Sequence, residues 1–269
     1  MLFDIPHILY MVISAIITAC ILVAAAFLIK TKKRKESFLR FWALATVFIH
    51  YSSIYSDYYI GKVKNPELGL SMFIPAYACN VCMWLLLIVA FSNRKNKFIS
   101  LVSHFVALGG IVCGIVGILL NENYGAFAAS NPGMHPMQDF EVVKGLLSHS
   151  TMLLGCIYLL VSDFVKVRVK TTPLGVTVGL SILFVDGLIV NGLNTVFGMP
   201  DVNSMYLHAV PFEKMPWLNT LTIGIVGVTA AFVISVLAEQ FTLPKHRRWY
   251  SKIKAPEIES EQMEETVND

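Results

Sequence analysis

Seven long apolar stretches, separated by short polar segments, make up most of the chain. None shows the alternation of apolar and polar residues that is typical of a half-buried strand. A helix of about 20 apolar residues spans the hydrocarbon core of a bilayer, so each stretch predicts one transmembrane helix. The predicted helices cover residues 8–29, 39–60, 71–92, 98–120, 143–165, 173–194 and 217–240. The pattern therefore predicts an all-α membrane protein, a seven-transmembrane-helix bundle.

Basic residues are concentrated in alternate connections between these stretches. The clusters are KTKKRK (30–35), RKNK (94–97), KVRVK (166–170) and PKHRRWYSKIK (244–254). The side of the predicted bundle that carries these four clusters holds 17 of the 21 Lys and Arg residues. The other side holds Lys62, Lys64, Lys144 and Lys214. The positive-inside rule then predicts an external N-terminus and a cytoplasmic C-terminus. We expect one transmembrane domain over 1–243 and a basic, then acidic, disordered tail over 244–269.

Composition narrows the class of protein further. Hydrophobic residues make up 55% of the 269 residues and charged residues 14%, with a mean hydropathy of +0.63. This is too apolar for a soluble domain and indicates a multi-pass protein, which we expect in the cell membrane. The basic residues lie in short runs and not on one face, so we predict no nucleic-acid binding. No metal-ligand spacing or nucleotide-binding motif is present, and we predict neither a metal nor a cofactor.

Cysteines and glycines lie within the apolar stretches. All five cysteines do so, which predicts no disulfide framework. Gly110 and Gly114 in GGIVCGIVG (109–117) have the small-xxx-small spacing that favours close packing of the fourth helix against a neighbour in the chain. The long predicted outer loops after the fourth and sixth helices are rich in Pro and Gly. They are either functional lids or inert connectors.

Polar side chains recur at one depth of the predicted bundle. Cys79, His149 and Asp186 each lie roughly 10–13 Å from the outer end of their helices, at ~1.5 Å per residue. The same outer layer includes His50, Asp57, Asn80, Asn191 and Asn194. Ionisable groups inside a membrane are costly and often functional, so this layer is the candidate site.

Two interpretations of the layer remain open. In one, it lines a pocket that opens outward, where His149 acts as a base toward a cysteine or hydroxyl nucleophile and the Asp or Asn side chains orient it. In the other, these groups form hydrogen bonds between helices, and the cysteines are small apolar fillers. Cys79 and Cys82 also form a C-x-x-C pair, but a membrane thiol oxidoreductase would need a second cysteine pair in an outer loop, which the chain lacks.

Several segments together resemble a known family. They are IPAYACNVC (74–82), LLSHSTMLLGCIYLL (146–160) and NGLNTVFGMPDVNSMYLHAVP (191–211). Over about residues 1–240, the chain resembles the YwaF-type bacterial integral membrane proteins, which are related to the eukaryotic transmembrane-protein-164 acyltransferase group. The segment Asn203-Ser204-Met205-Tyr206-Leu207 departs from the N-Y-M-x-L form of the family.

This resemblance implies a class of chemistry. Relatives are described as phospholipid acyltransferases or as hydrolases of fatty-acid esters, which use a nucleophilic Cys or Thr together with a His. His149 matches the family histidine, and Cys79 is the candidate nucleophile. We therefore expect membrane lipids as substrate or ligand. The alternatives are a small-solute transporter or binding protein with a polar intramembrane site, and a structural or scaffolding protein; the sequence indicates no protein partner.

Overall fold

The computed structural model describes residues 3–52, 75–93, 95–131, 133–197, 204–207, 216–217, 219–245 and 248–252. Within these ranges the chain is helical and contains no strand. The α-helices are α1 (Ile5–Leu28), α2 (Lys32–His50), α3 (Ala78–Phe91), α4 (Lys97–Leu119), α5 (Glu122–Ser130), α6 (Phe140–Val161), α7 (Thr172–Phe197) and α8 (Thr220–Thr242). Short 3-10 helices lie at Pro136–Gln138, Ser204–Tyr206 and Trp249–Lys252. The seven longer helices confirm the predicted all-α bundle.

Five of the described helices are long and apolar enough to cross a membrane. They are α1, α4, α6, α7 and α8. Apolar α3 is shorter, at 14 residues, and α2 begins with the basic segment KKRK. Helix α2 ends at His50 and α3 begins at Ala78, so residues 51–52 and 75–77 are not helical as predicted; the rest of both predicted spans, between 53 and 74, lies outside the described residues, as does most of the predicted tail. A multi-pass membrane protein follows from these helices.

Polar residues cap the first turn of several helices. The side chains of Asp4, Thr31, Asn96, Asp139 and Asn219 each accept a hydrogen bond from an amide in the first turn that follows. Since Pro6 suits the first turn, α1 begins three residues before the predicted start. At the other end of the bundle, Asp163 adopts φ 61°, a left-handed conformation, so α6 stops at Val161 and not at the predicted 165.

Helix α4 is central and packs against α3, α6 and α7. Its glycines make the closest approaches. A methyl group at Gly110 would lie 2.3 Å from Cys156 Sγ, and one at Gly114 would lie 2.9 Å from Leu153 Cβ. The predicted packing of the fourth helix against a neighbour in the chain is therefore confirmed, with α6 as the neighbour.

Helix α1 lies on the outside of the bundle and is attached through polar contacts. Tyr10 Oη and Ser14 Oγ lie 2.8 and 2.9 Å from Ser150 Oγ on α6. His7 is fully buried, and its Nε2–H donates to the Ile118 carbonyl at the end of α4, at 2.9 Å. These bonds bring the start of α1, the end of α4 and the first half of α6 to one side of the bundle, as the alternating topology requires.

Candidate functional site

The predicted polar layer is carried by four helices. Cys79 and Asn80 lie in the first turn of α3, and His50 is the last residue of α2. His149 lies near the middle of α6, while Asp186 and Asn191 lie in the second half of α7. Asp57 is outside the described residues, and so is the side chain of Asn194, which belongs to α7.

His149 is held in one orientation by its own helix and by α4. Its Nδ1 lies 2.7 Å from the Gly145 carbonyl oxygen, which can only accept a hydrogen bond. Nδ1 therefore carries the proton, and the neutral ring presents its lone pair at Nε2. The ring lies over Gly117, where a methyl group would be 2.0 Å from Cδ2 and 2.2 Å from Nε2. The sequence places glycine where the imidazole needs space.

Two cationic or titratable side chains lie near His149. Both His149 and Lys144 are close enough to His50 to act on it electrostatically. Lys144 is buried and donates to Glu141, one turn earlier on α6. Within the described part of the chain, the buried Nδ1 of His50 has no hydrogen-bond partner. His50 on α2 therefore lies within electrostatic range of His149 on α6, and the shared pocket stays a prediction.

Asp186 approaches the same region from α7. It acts electrostatically on Tyr51, whose hydroxyl accepts a hydrogen bond from Trp84 Nε1 at 2.7 Å. The ring of Tyr51 lies 4.9 Å from that of His50, edge to face. Buried Asp186 Oδ2 has no partner among the described residues. An unpartnered carboxylate oxygen beside aromatic side chains suits a polar ligand or water at this position.

Cys79 occupies the first turn of α3, the positive end of the helix dipole. Its thiol donates to Asn80 Oδ1 at 3.3 Å. Tyr77, the residue before the helix, provides no side-chain cap to the first-turn amides. Partial positive charge at a helix N-terminus favours the thiolate form of a cysteine, so this position suits a nucleophile.

The start of α3 is fixed by a segment that follows α7. The Ala76 carbonyl accepts hydrogen bonds from Ser204 Oγ at 2.8 Å and from the Met205 amide at 3.1 Å. Asn191 in turn binds both backbone groups of Ser204: its Nδ2–H donates to the carbonyl at 3.2 Å, and its Oδ1 accepts from the amide at 3.0 Å. Asn191 therefore positions the backbone that leads to Cys79.

A family model matches residues 2–238, nearly the whole chain. The chain belongs to the TMEM164 family. Neither the curated proteins nor the solved structures contain a significant match. The match confirms the predicted relationship to the transmembrane-protein-164 group, while the YwaF-type assignment and the link to acyl transfer stay predictions.

Three of the other cysteines of this TMEM164-family protein, Cys82, Cys113 and Cys156, form a separate group inside the bundle. Cys82 hydrogen-bonds with Cys113 on α4, and Cys156 on α6 lies close to both. All five thiols are free. In the described ranges, no group of three or more His, Cys, Asp or Glu side chains is arranged to hold a metal. Because Cys82 is fully buried beside Cys113, its surroundings fit the interpretation of a small apolar filler.

Several residues near the layer were not identified from the sequence. They are Tyr51, Trp84, Lys144 and Ser204. Lys144 was counted only as an outer-loop charge, although Glu141 at i−3 is the spacing of a helical ion pair. The roles of Tyr51, Trp84 and Ser204 depend on contacts between segments far apart in the chain, for which one sequence contains no signal.

A cluster of polar side chains anchors the start of α1 beside the site's helices. Asp4 accepts from the Tyr124 hydroxyl at 2.6 Å and lies 3.6 Å from His135 Nε2. Burial raises the pKa of Asp4, but hydrogen bonds from Tyr124 and the His7 amide, with the charge of His135, outweigh it and lower the pKa below 3.8. Asp4 therefore stays ionised and connects α1, α5 and the segment before α6.

Proposed function

We propose that the protein is an enzyme of the cell membrane that transfers or hydrolyses a fatty acyl group of a phospholipid. Cys79 is the nucleophile and His149 the general base in this proposal. The observation that carries it is the orientation of His149, in which the Gly145 carbonyl holds the proton on Nδ1 and leaves Nε2 to accept one. Membership in the TMEM164 family supports the same chemistry through the acyl transfer that the sequence resemblance implies.

The environment of Cys79 also supports the proposal. A thiol at a helix N-terminus is more easily deprotonated than one in the middle of a helix. The side chain of the N-cap residue Tyr77 makes no hydrogen bond to the first-turn amides, and amides at a helix N-terminus are suitable donors to the oxyanion of a tetrahedral intermediate. Asn80, which accepts from the thiol, would orient Cys79 before attack.

The proposed reaction has two halves. In the first, Nε2 of His149 takes the thiol proton, and the thiolate attacks the ester carbonyl. The carbon–oxygen ester bond breaks, the lysophospholipid leaves with the proton from His149, and the acyl group remains as a thioester on Cys79. In the second half, His149 removes a proton from water or from the hydroxyl of an acceptor lipid, which attacks the thioester and regenerates the thiol. Water gives a hydrolase and a lipid hydroxyl gives a transferase.

Trapping the thioester tests this proposal directly. The purified full-length protein would be incubated with a phospholipid that carries a radiolabelled acyl chain, quenched in acid, and assayed for protein-bound label that hydroxylamine releases. We expect label on the wild type, none on Cys79→Ala, and at least a hundredfold slower labelling of His149→Gln, because a general base contributes about 10²–10⁴-fold.

Cys20→Ala is the matched control, because Cys20 is an exposed thiol on α1, away from the polar layer. It should be labelled like the wild type. Equal labelling of Cys79→Ala and the wild type would refute Cys79 as the nucleophile. Absence of label and of released fatty acid from the wild type, across phosphatidylcholine, phosphatidylethanolamine and phosphatidylglycerol, would refute acyl chemistry altogether.

A further inference from the structure

We propose that a cleft at the opposite end of the bundle from the polar layer binds the headgroup of an anionic glycerophospholipid. The cleft has a volume of about 280 Å³. It is lined by Lys30, Lys32, Lys35, Ser162, Asp163 and Phe164. This inference is independent of the acyl-transfer proposal, because it concerns other residues and the predicted cytoplasmic side.

The cleft is formed where the connection between α1 and α2 meets the end of α6. Lys35 Nζ donates to the buried Ser162 carbonyl group at 3.4 Å, which joins α2 to the end of α6. The left-handed conformation of Asp163 turns the chain away from α6 and leaves space there. Lys30 folds back along α1, with Nζ 2.7 Å from the Ala26 carbonyl oxygen. The cleft is therefore built from two segments that are far apart in the chain, residues 30–35 and 162–164.

Charge in the cleft selects an anion. Three ammonium groups line it, against one carboxylate from Asp163. Each ammonium carries three donors, and the bonds of Lys30 to Ala26 and of Lys35 to Ser162 use one donor each. A phosphate diester accepts several such hydrogen bonds and carries one negative charge. Its binding would offset the mutual repulsion of three lysines held close together.

Neighbouring apolar side chains favour a lipid over a free phosphate. Phe27 and Leu28, in the last turn of α1, are each 72% exposed, and Val161, the last residue of α6, is 54% exposed. They lie where two membrane-spanning helices end, so the cleft sits at headgroup level with an apolar surface beside it. A phospholipid would occupy both the cleft and the apolar surface, with its phosphate among the lysines and its acyl chains along Phe27 and Val161.

The positive-inside rule accounts for basic residues in this connection but not for the cleft. Lys33 and Arg34 belong to the same run, are exposed, and do not line it. The rule counts all the charges alike, whereas a specific site depends only on those that face the ligand. This difference provides a matched pair of variants with the same change in charge.

Native mass spectrometry of the purified full-length protein in detergent would test the site, with phosphatidylglycerol and phosphatidylcholine of the same acyl chains as probes. We expect the wild type to retain one phosphatidylglycerol in preference to phosphatidylcholine. Lys30→Gln/Lys32→Gln should weaken that retention about 30-fold, at roughly fivefold per lysine near an anionic headgroup. Lys33→Gln/Arg34→Gln should stay within about threefold of the wild type, since neither side chain lines the cleft and exposed charges without direct contact contribute little.

The tested pair keeps Lys35, and with it the contact between α2 and α6, so the variant should retain its fold; circular dichroism would check this. Equal losses in both double variants would show diffuse attraction to the basic run and overturn the site. Equal retention of the two lipids by the wild type would do the same without any variant. Complete displacement of phosphatidylglycerol by equimolar glycerol 3-phosphate would assign the cleft to a soluble phosphate ester and refute the lipid.

Discussion

Replacing Gly117 with alanine is the most direct structural test of how His149 is positioned. The new methyl carbon would lie 2.0 Å from Cδ2, 2.2 Å from Nε2 and 2.5 Å from Cγ of the imidazole. Non-bonded carbon atoms prefer separations of about 3.5 Å, so the ring must move by about 1.5 Å or the helices must separate. Movement of the ring would lengthen the hydrogen bond from Nδ1 to the Gly145 carbonyl, which is 2.7 Å in the wild type, whereas separation of the helices would shift His149 together with α6.

Gly117→Ala should affect both the stability of the fold and the rate of the reaction. Overpacking of a tightly packed interior costs about 1–3 kcal/mol of folding free energy. A displacement of about 1 Å in a catalytic group costs on the order of a hundredfold in rate. We therefore expect Gly117→Ala to lower the thermal midpoint moderately and to slow the formation of the thioester on Cys79 about a hundredfold.

Two glycines separate the effect of packing from the effect on the histidine. Gly110→Ala would clash with Cys156 Sγ at 2.3 Å, a similar overpacking two turns away on α4, and should reduce stability while largely preserving the labelling rate. A methyl group at Gly224 on α8 would have no neighbouring atom within 4 Å, so Gly224→Ala should change neither the stability nor the labelling rate. If Gly117→Ala labels as fast as Gly110→Ala, the placement of His149 has no catalytic importance and our reasoning is wrong.

Two further predictions concern the segments around the site. Asn191→Ala removes both hydrogen bonds to the Ser204 backbone and leaves buried polar groups unpaired, so it should lower the free energy of unfolding by about 2 kcal/mol in chemical denaturation. Thr195→Ala is the control: its hydroxyl donates to the Asn191 carbonyl within α7, and the loss should be under about 0.5 kcal/mol. Asp4 has a lowered pKa, so its contribution to stability is present above its ordinary value of 3.8 and is lost as the pH falls through the lowered value. Between about pH 5 and about pH 3, the thermal midpoint should therefore fall less for Asp4→Asn than for the wild type. If the two plots of thermal midpoint against pH ran parallel, ionised Asp4 would not stabilise the fold.

The helices and their packing were largely predictable because the signals are local. Apolar stretches of spanning length mark the membrane helices, and the spacing of Gly110 and Gly114 marks the surface that α6 approaches. In each case, the relevant geometry is the rise and rotation of a single helix.

Contacts between distant segments were not predictable in this way. Nothing in the sequence around Ser204 indicates that it binds the Ala76 carbonyl, 128 residues away, or that Asn191 holds it there. Helix α5 lies within a loop that the sequence presents only as rich in Pro and Gly. These features depend on the tertiary arrangement, which places backbone groups of one segment opposite those of another.

The two proposed reactive groups are therefore held by different means, and this has a consequence that can be measured. His149 depends on the glycine face of α4, whereas Cys79 depends on the Asn191–Ser204 contact with the start of α3. The two supports involve separate contacts, so the stability costs of Gly117→Ala and Asn191→Ala should add to within about 0.5 kcal/mol. Groups that act as one catalytic unit are not additive in rate: once one is displaced, displacing the other costs little more. The double variant should thus form the thioester nearly as fast as the slower single variant. Multiplied losses of rate would show that Cys79 and His149 act independently, which is incompatible with a nucleophile and its base.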